Sequence, residues 1–310
     1  MCTYSYFNPE IFSADTALPD MFEHTIRLLC ISHAQPCPAL YAAHRHFPKE
    51  RKPNNKVILA CSGGLDSVYQ AICLKEKGYD VTLFHVKNLN YYTNGKEEVI
   101  TEDIAKALDM PLLSARFIAD TRKDNPFRKY WSENSFKDML FYSMMIDYAY
   151  LNDIYNISSG DDLSLDISKA VVGVNLSDAK QITETFMSDL KRYYVFNFIP
   201  TEQNHKGIRL QKLQEHGLLD KYYSCVNPGR FNQQNHKRIE SCFGVELYHY
   251  NCGLCRKCAF HNLLRHYYLN EEFSPEFIDF CWDKIANGAD NVFFNKKLPL
   301  EQRIKNLYEY

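Results

Sequence analysis

Between residues 56 and 160 the apolar positions follow two rhythms in alternation. Short unbroken apolar runs alternate with longer stretches that repeat every three to four residues. "KVILAC" (56–61) is a continuous apolar strand, "DVTLFHV" (80–86) reads as a second buried strand, and "LLSARFI" (112–118) and "YNISSG" (155–160) read as a third and a fourth. "SVYQAICLKEKG" (67–78) places Val68, Ala71 and Ile72 on one helical face and closes at Gly78, a suitable residue just past a helix end. "KEEVITEDIAKALD" (96–109) carries Ile100, Ile104 and Leu108 at four-residue steps, with acids early and a lysine in the last turn. A long helix is predicted over 135–153, and further helices over 177–192 and 206–217. In "SPEFIDFCWDKIANG" (274–288), Ser274 is placed to cap a helix and Pro275 to begin it.

Strand–helix alternation predicts an α/β fold, a parallel sheet flanked by helices. Ligands of such sheets bind beyond the carboxyl ends of the strands. Residues 1–55, rich in proline and helical in pattern only over 20–33, read as an amino-terminal extension. Residues 56–235 form the expected main domain, and 236–310 a cysteine-bearing region packed on it.

Composition narrows the function classes. Hydrophobic residues make up 45% of the chain and charged residues 24%, and the net charge is −2. That balance does not suit a broad nucleic-acid footprint. No apolar run approaches the roughly 18 residues of a membrane span, and no export signal is apparent, so a cytoplasmic location is expected. Five of the eleven cysteines fall between 225 and 258. In a chain without an export signal, such clustering suggests a metal site before disulfides.

The richest stretch is "ACSGGLDSVYQA" (60–71). A buried strand ends in Ser62-Gly63-Gly64-Leu65-Asp66-Ser67 and passes directly into a helix. Successive backbone N–H groups and the helix N-terminus then converge on one point, and the glycines let a polyanion approach closely. The hydroxyls add donors, and Asp66 is suited to hold Mg2+ or its water. The Walker A spacing is absent. The stretch matches the SGGxDS motif of the PP-loop ATP pyrophosphatases, an adenine nucleotide alpha-hydrolase-like fold. Resemblance to that group implies cleavage of ATP between its α and β phosphates, with Asp66 and Ser67 catalytic and residues 62–67 nucleotide-binding.

"ESCFGVELYHYNCGLCRKCAFHNLLRH" (240–266) spaces Cys242, Cys252, Cys255 and Cys258 as a four-thiolate set. Four thiolates suit structural Zn2+ with no open position, and Arg256 and Lys257 offset their charge. An iron–sulfur cluster is the alternative. Cys225 in "YYSCVNPG" is a substitute ligand, placed behind Cys242 because the latter lies closer to the triplet.

SGGLDS near the first strand, with Ser241-Cys242 and Cys252-Gly253-Leu254-Cys255-Arg256-Lys257-Cys258 near the end, resembles the QueC family of 7-cyano-7-deazaguanine synthases over roughly residues 56–268. The resemblance implies adenylation of 7-carboxy-7-deazaguanine by ATP with Mg2+. Attack by a nitrogen nucleophile would then give an amide or a nitrile. It also implies a homodimer, a small-molecule substrate, and Lys206 as a phosphate-neutralising lysine, although a solvated helix-start lysine reads the same way. Divergent QueC-like proteins that accompany antiphage gene clusters make a protein amine an alternative acceptor. A tRNA-modifying PP-loop enzyme is the other alternative.

The chain departs from the family between the two motifs. "NYYTN" (90–94) and "WSENS" (131–135) stand where family residues differ, the latter keeping Asn134. The substrate segment corresponds either to "SSGDDLS" (158–164) or to "GVNLSDA" (173–179). Gly160, Asp161 and Asp162 follow the fourth strand at the carboxyl edge, where they bind nucleotide or substrate or cap a helix. Backbone groups near Phe84 and Val86 are candidates to read the adenine edge, whereas His85 reads as a satisfied core histidine.

Overall fold

A computed structural model describes residues 51–87, 96–116, 141–142, 145–146, 148–149, 152–160, 195–202, 204–223, 225, 233–248, 250–286, 298–299 and 302–303. The expected helix over 177–192, Asp161, Asp162, Asn134 and the segments 1–50, 90–94, 131–135 and 173–179 lie outside the described residues.

Five parallel strands form the centre: β1 (Lys56–Ala60), β2 (Asp80–Lys87), β3 (Leu112–Arg116), β4 (Asn156–Ser158) and β5 (Asn197–Ile199), in the order β3-β2-β1-β4-β5. Val57, Ile58 and Leu59 are fully buried, which accounts for the unbroken apolar run of the central strand. Val57 pairs with Val81 on one side and Asn156 on the other. From β1 the chain builds outward through β2 and β3, then returns to the opposite side for β4 and β5. The reversal between β1 and β4 opens a crevice at their carboxyl ends, the usual ligand position in such sheets.

Around the sheet lie α1 (Leu65–Glu76), α2 (Lys96–Leu108), α3 (Lys206–Glu215), α4 (Gln233–Phe243), α5 (Arg256–Tyr268) and α6 (Pro275–Ala286). Tyr142, Met145, Ile146 and Ala149, within the expected helix 135–153, are helical and buried. The predicted ends of α1 and α6 match the chemistry that suggested them. Gly78 adopts φ 81°, and the Tyr79 N–H reaches the Leu74 carbonyl while that of Gly78 reaches Lys75, a Schellman closure. Ser274 Oγ accepts from the Phe277 N–H at 3.2 Å, capping α6.

α1 is buried on nearly every side because the sheet lies beneath it and α3 packs across it. One apolar core runs from β1 and α1 through α5 to Phe277, Trp282 and Ile285 of α6. Among the described residues, no helix is long and apolar enough to cross a membrane.

A candidate nucleotide site beside a four-cysteine cluster

The turn between β1 and α1 is built for close approach. Gly63 has φ 77°, and a Cβ there would lie 2.7 Å from Ile100 Cγ2, so both conformation and space exclude a side chain. Gly64 occupies the N-cap of α1 without any side-chain cap, leaving first-turn N–H groups directed at the crevice. Ser62 is exposed at the mouth, and Leu65 is buried beneath it. Ser67 is buried and donates its hydroxyl to the Gly64 carbonyl at 3.0 Å, so in this arrangement it stabilises the turn.

Gly160, just past β4, forms the other wall. A Cβ on it would meet Ser67 Cβ at 2.3 Å and Cα at 2.4 Å, so the loop after β4 packs directly on the first turn of α1. Phe84 is buried and its carbonyl accepts the Cys61 N–H at 2.8 Å. Pairing between β1 and β2 ends at Ala60 and Phe84, and Val86 lies two residues further along β2. His85 is buried with Nδ1 3.0 Å from the Cys61 carbonyl, as a core histidine should be.

Asp66 and Lys206 come together across the crevice. Lys206 Nζ donates to both Asp66 oxygens at 3.0 and 3.2 Å. Arg209, which the sequence reading missed, adds Nη1 at 2.5 Å from Asp66 Oδ1. Its guanidinium is fully buried, also donates to the Glu202 carbonyl at 3.2 Å, and lies over the Tyr69 ring. The clue available in "KGIRL" was spacing: positions three apart share a helix face. Burial alone would push the Asp66 carboxyl up. The Lys206 ammonium and the Arg209 guanidinium outweigh it and hold the carboxyl well below the usual carboxylate range. The crevice therefore presents the Asp66 carboxylate, the Lys206 ammonium and uncapped amides, backed by the buried Arg209, a combination suited to a phosphate chain with its metal ion.

The cysteine set differs from the expected one. Cys225, Cys252, Cys255 and Cys258 are buried with all four sulfurs within 4.8 Å of one another. Cys225 Sγ lies 3.7 Å from Cys255 Sγ, and Cys252 Sγ 3.9 Å from Cys258 Sγ. Cys242 is exposed on α4, so the compact spacing that favoured it does not bring it to the triplet. The physical reason is direction: a helix in that register points Cys242 outward, whereas Cys225, two residues past Tyr223, has its sulfur in the cluster. Ser241, its neighbour, donates to the Arg238 carbonyl within the same helix. The thiols suit a soft cation. The contacts from Cys225, Cys252 and Cys258 pull the Cys255 thiol far below the ordinary cysteine range. Cys255 also caps α5, and the left-handed Gly253 turns the chain between two ligands.

Residues 55–149 match the family profile described as the tRNA methyl transferase HUP domain. The tRNA-specific 2-thiouridylase MnmA of Francisella philomiragia is 35% identical over 92 residues, covering 28% of this chain and 23% of that protein. MnmA of Nitrosomonas eutropha is 33% identical over 75 residues, covering 22% and 21% respectively. The matches thus span less than a quarter of either relative's length. Among solved structures, a U34-tRNA thiolase NcsA from Methanococcus maripaludis with its [4Fe-4S] cluster superposes with a TM-score of 0.40 and 17% identity, covering 72% of this chain and 74% of that one. An NH3-dependent NAD synthetase from Campylobacter jejuni superposes with a TM-score of 0.32 and 13% identity, covering 90% and 96%. With its left-handed Gly63 turn after β1 and its parallel sheet flanked by helices, the stretch that the profile matches, residues 55–149, has the PP-loop HUP fold.

Proposed function

We propose that this protein adenylates an oxygen of its substrate at the β1–α1 turn. The acceptor oxygen attacks the α-phosphorus of ATP, the bond from that phosphorus to the bridging α–β oxygen breaks, and pyrophosphate leaves. The N–H groups of α1 and the Lys206 ammonium hold the phosphate chain, the buried Arg209 keeps Asp66 ionised, and Asp66 would hold Mg2+, which would offset the charge of the phosphates. The observation that carries this reading is the Asp66–Lys206–Arg209 cluster at the uncapped N-terminus of α1.

For the acceptor we favour the carboxylate of a 7-deazaguanine. A carboxylate becomes electrophilic once AMP replaces a poor leaving group, and a nitrogen nucleophile then attacks the acyl carbon and releases AMP. Cys225 is itself preceded by a serine, Ser224, which supports the resemblance to the QueC family, with a longer spacing to Cys252 than Ser241-Cys242 has. We assign zinc to the cluster. Thiolates about 2.3 Å from one zinc ion lie about 3.8 Å apart, close to the sulfur separations here, whereas a four-iron cluster spreads its cysteines over separate irons. The ion supplies structural cross-linking and takes no part in the chemistry. A protein amine is the variant acceptor within this reading.

Modification of a tRNA base is the second reading, and the HUP-domain match with its thiouridylase relatives favours it. One experiment separates the two. The protein is incubated with ATP, Mg2+, 7-carboxy-7-deazaguanine and ammonium, or with ATP, Mg2+ and tRNA, and AMP and products are followed by mass spectrometry. AMP with amide or nitrile only in the first mixture supports the acid reading. AMP only with tRNA, bound with a steep salt dependence, supports the second. No AMP in either mixture, nor with a peptide amine added to the first, rejects adenylation of these substrates.

A further inference from the structure

The nucleotide turn and the cysteine cluster share one short strip of chain. The Tyr223 N–H donates to the Gly63 carbonyl at 2.8 Å, and Gly64 and Tyr223 form a parallel bridge. Two residues later, a span of at most about 7 Å, Cys225 places its sulfur against Cys255. On the other side, the Tyr222 hydroxyl hydrogen-bonds His261 Nδ1 on α5 at 3.0 Å, and the Tyr222 carbonyl accepts from Asn251, the neighbour of Cys252. Tyr222, Tyr223 and Cys225 are all buried, so this strip cannot shift without disturbing either the turn or the cluster.

We propose that Tyr223 is a positioning residue linking the two sites, so that closing the metal-bound cluster through Cys225 sets the phosphate turn and nucleotide binding in return tightens the metal. The inference rests on the nucleotide-site reading above. Gly63 is held in a left-handed conformation partly by the Tyr223 contact, and Tyr223 is held by the ligand two residues away. An ion bound by Cys225, Cys252, Cys255 and Cys258 would tie the segment that carries Tyr223 to the start of α5. The same ion would fix the start of α5, which Cys255 caps. Cluster closure therefore sets the phosphate turn and the start of α5 together. Linkage of this kind is reciprocal: the factor by which metal raises nucleotide affinity equals the factor by which nucleotide raises metal affinity.

The test uses the full zinc-loaded chain with α,β-methylene-ATP and excess Mg2+. Calorimetry first measures analogue binding. Zinc competition with a chromophoric chelator is then measured with and without saturating analogue. Nucleotide should strengthen zinc retention by about fivefold or more. Analogue that binds while zinc retention stays unchanged overturns the linkage and leaves the nucleotide site standing. Zinc-loaded protein that binds no analogue overturns both. Cys225→Ser should lower zinc affinity and analogue affinity together, and a folded C225S with weakened zinc but an unchanged analogue Kd overturns the proposal. If C225S does not fold, the wild-type competition decides.

Discussion

Arg209 Nη1 lies 2.5 Å from Asp66 Oδ1, joining a fully buried guanidinium on α3 to the first turn of α1. Arg209→Met leaves Asp66 with Lys206 alone and removes the contact to the Glu202 carbonyl. Stability should fall by roughly 1–3 kcal/mol, read as a lower urea midpoint at unchanged m. The folded carboxyl lies below its unfolded value, so its stabilisation is full above about pH 4 and is lost as pH falls through the depressed value. R209M should therefore flatten the acid limb, and an unaltered midpoint and limb would show that the pair contributes nothing.

Lys206 faces the same carboxylate, but its proposed task is the phosphate chain. Lys206→Ala should lower kcat for AMP release by about 10²–10³-fold with a smaller change in KM. Near-normal turnover would return Lys206 to the role of a plain ion-pair partner.

Two of the crevice glycines, Gly160 and Gly64, should respond differently in stability. Gly160→Ala forces a Cβ to within 2.3 Å of Ser67 Cβ, so the β4 loop and α1 must separate at a cost of roughly 1–3 kcal/mol. Gly64→Ala meets Ser62 Oγ at 3.4 Å with φ −71°, which a side chain accepts, and should change stability by less than about 0.5 kcal/mol. Equal melting temperatures for the two variants would contradict the contact at Gly160.

Zinc content separates the two cysteines that compete for the fourth position. Cys242→Ser, at an exposed site, should keep one zinc per chain and the wild-type melting temperature. Cys225→Ser, at a buried one, should retain less zinc and unfold at lower temperature. Loss of zinc in C242S would restore the ligand set suggested by spacing.

His261 gives a pH dependence distinct from that of Asp66. Burial, then the Lys206 and Lys257 charges, push its pKa down to about 3 from 6.5. Between these values the unfolded chain binds one proton more than the folded one. Stability should therefore fall with acidification across that window, by up to about 1.4 kcal/mol per pH unit. His261→Gln retains a polar partner for Tyr222 and should remove this slope. A slope that persists in H261Q would assign it to another group.

Much of this architecture is local and hence legible in the chain. "KVILAC" followed by SGGLDS marks β1, its turn and α1, because burial on both faces, a left-handed Gly63 and a Schellman closure at Gly78 are each set by neighbouring residues. β5 left a weaker trace: unlike the equally short but fully buried β4, it is only partly buried, so no buried-strand pattern marks it. Arg209 was hidden by the general rule that exposed positions favour arginine, which Asp66 overturns from 143 residues away.

The sulfur cluster shows the boundary most clearly. The Cys252, Cys255 and Cys258 spacing announces a metal-binding turn, since thiolates three apart converge whatever surrounds them. The choice of the fourth ligand was nonlocal. Cys242 is nearer in sequence, but its helix turns it to solvent, while Tyr223 pairs with the Gly63–Gly64 turn and carries Cys225 to the cluster. Neighbouring residues set conformation, and only packing between distant segments decides which side chains meet.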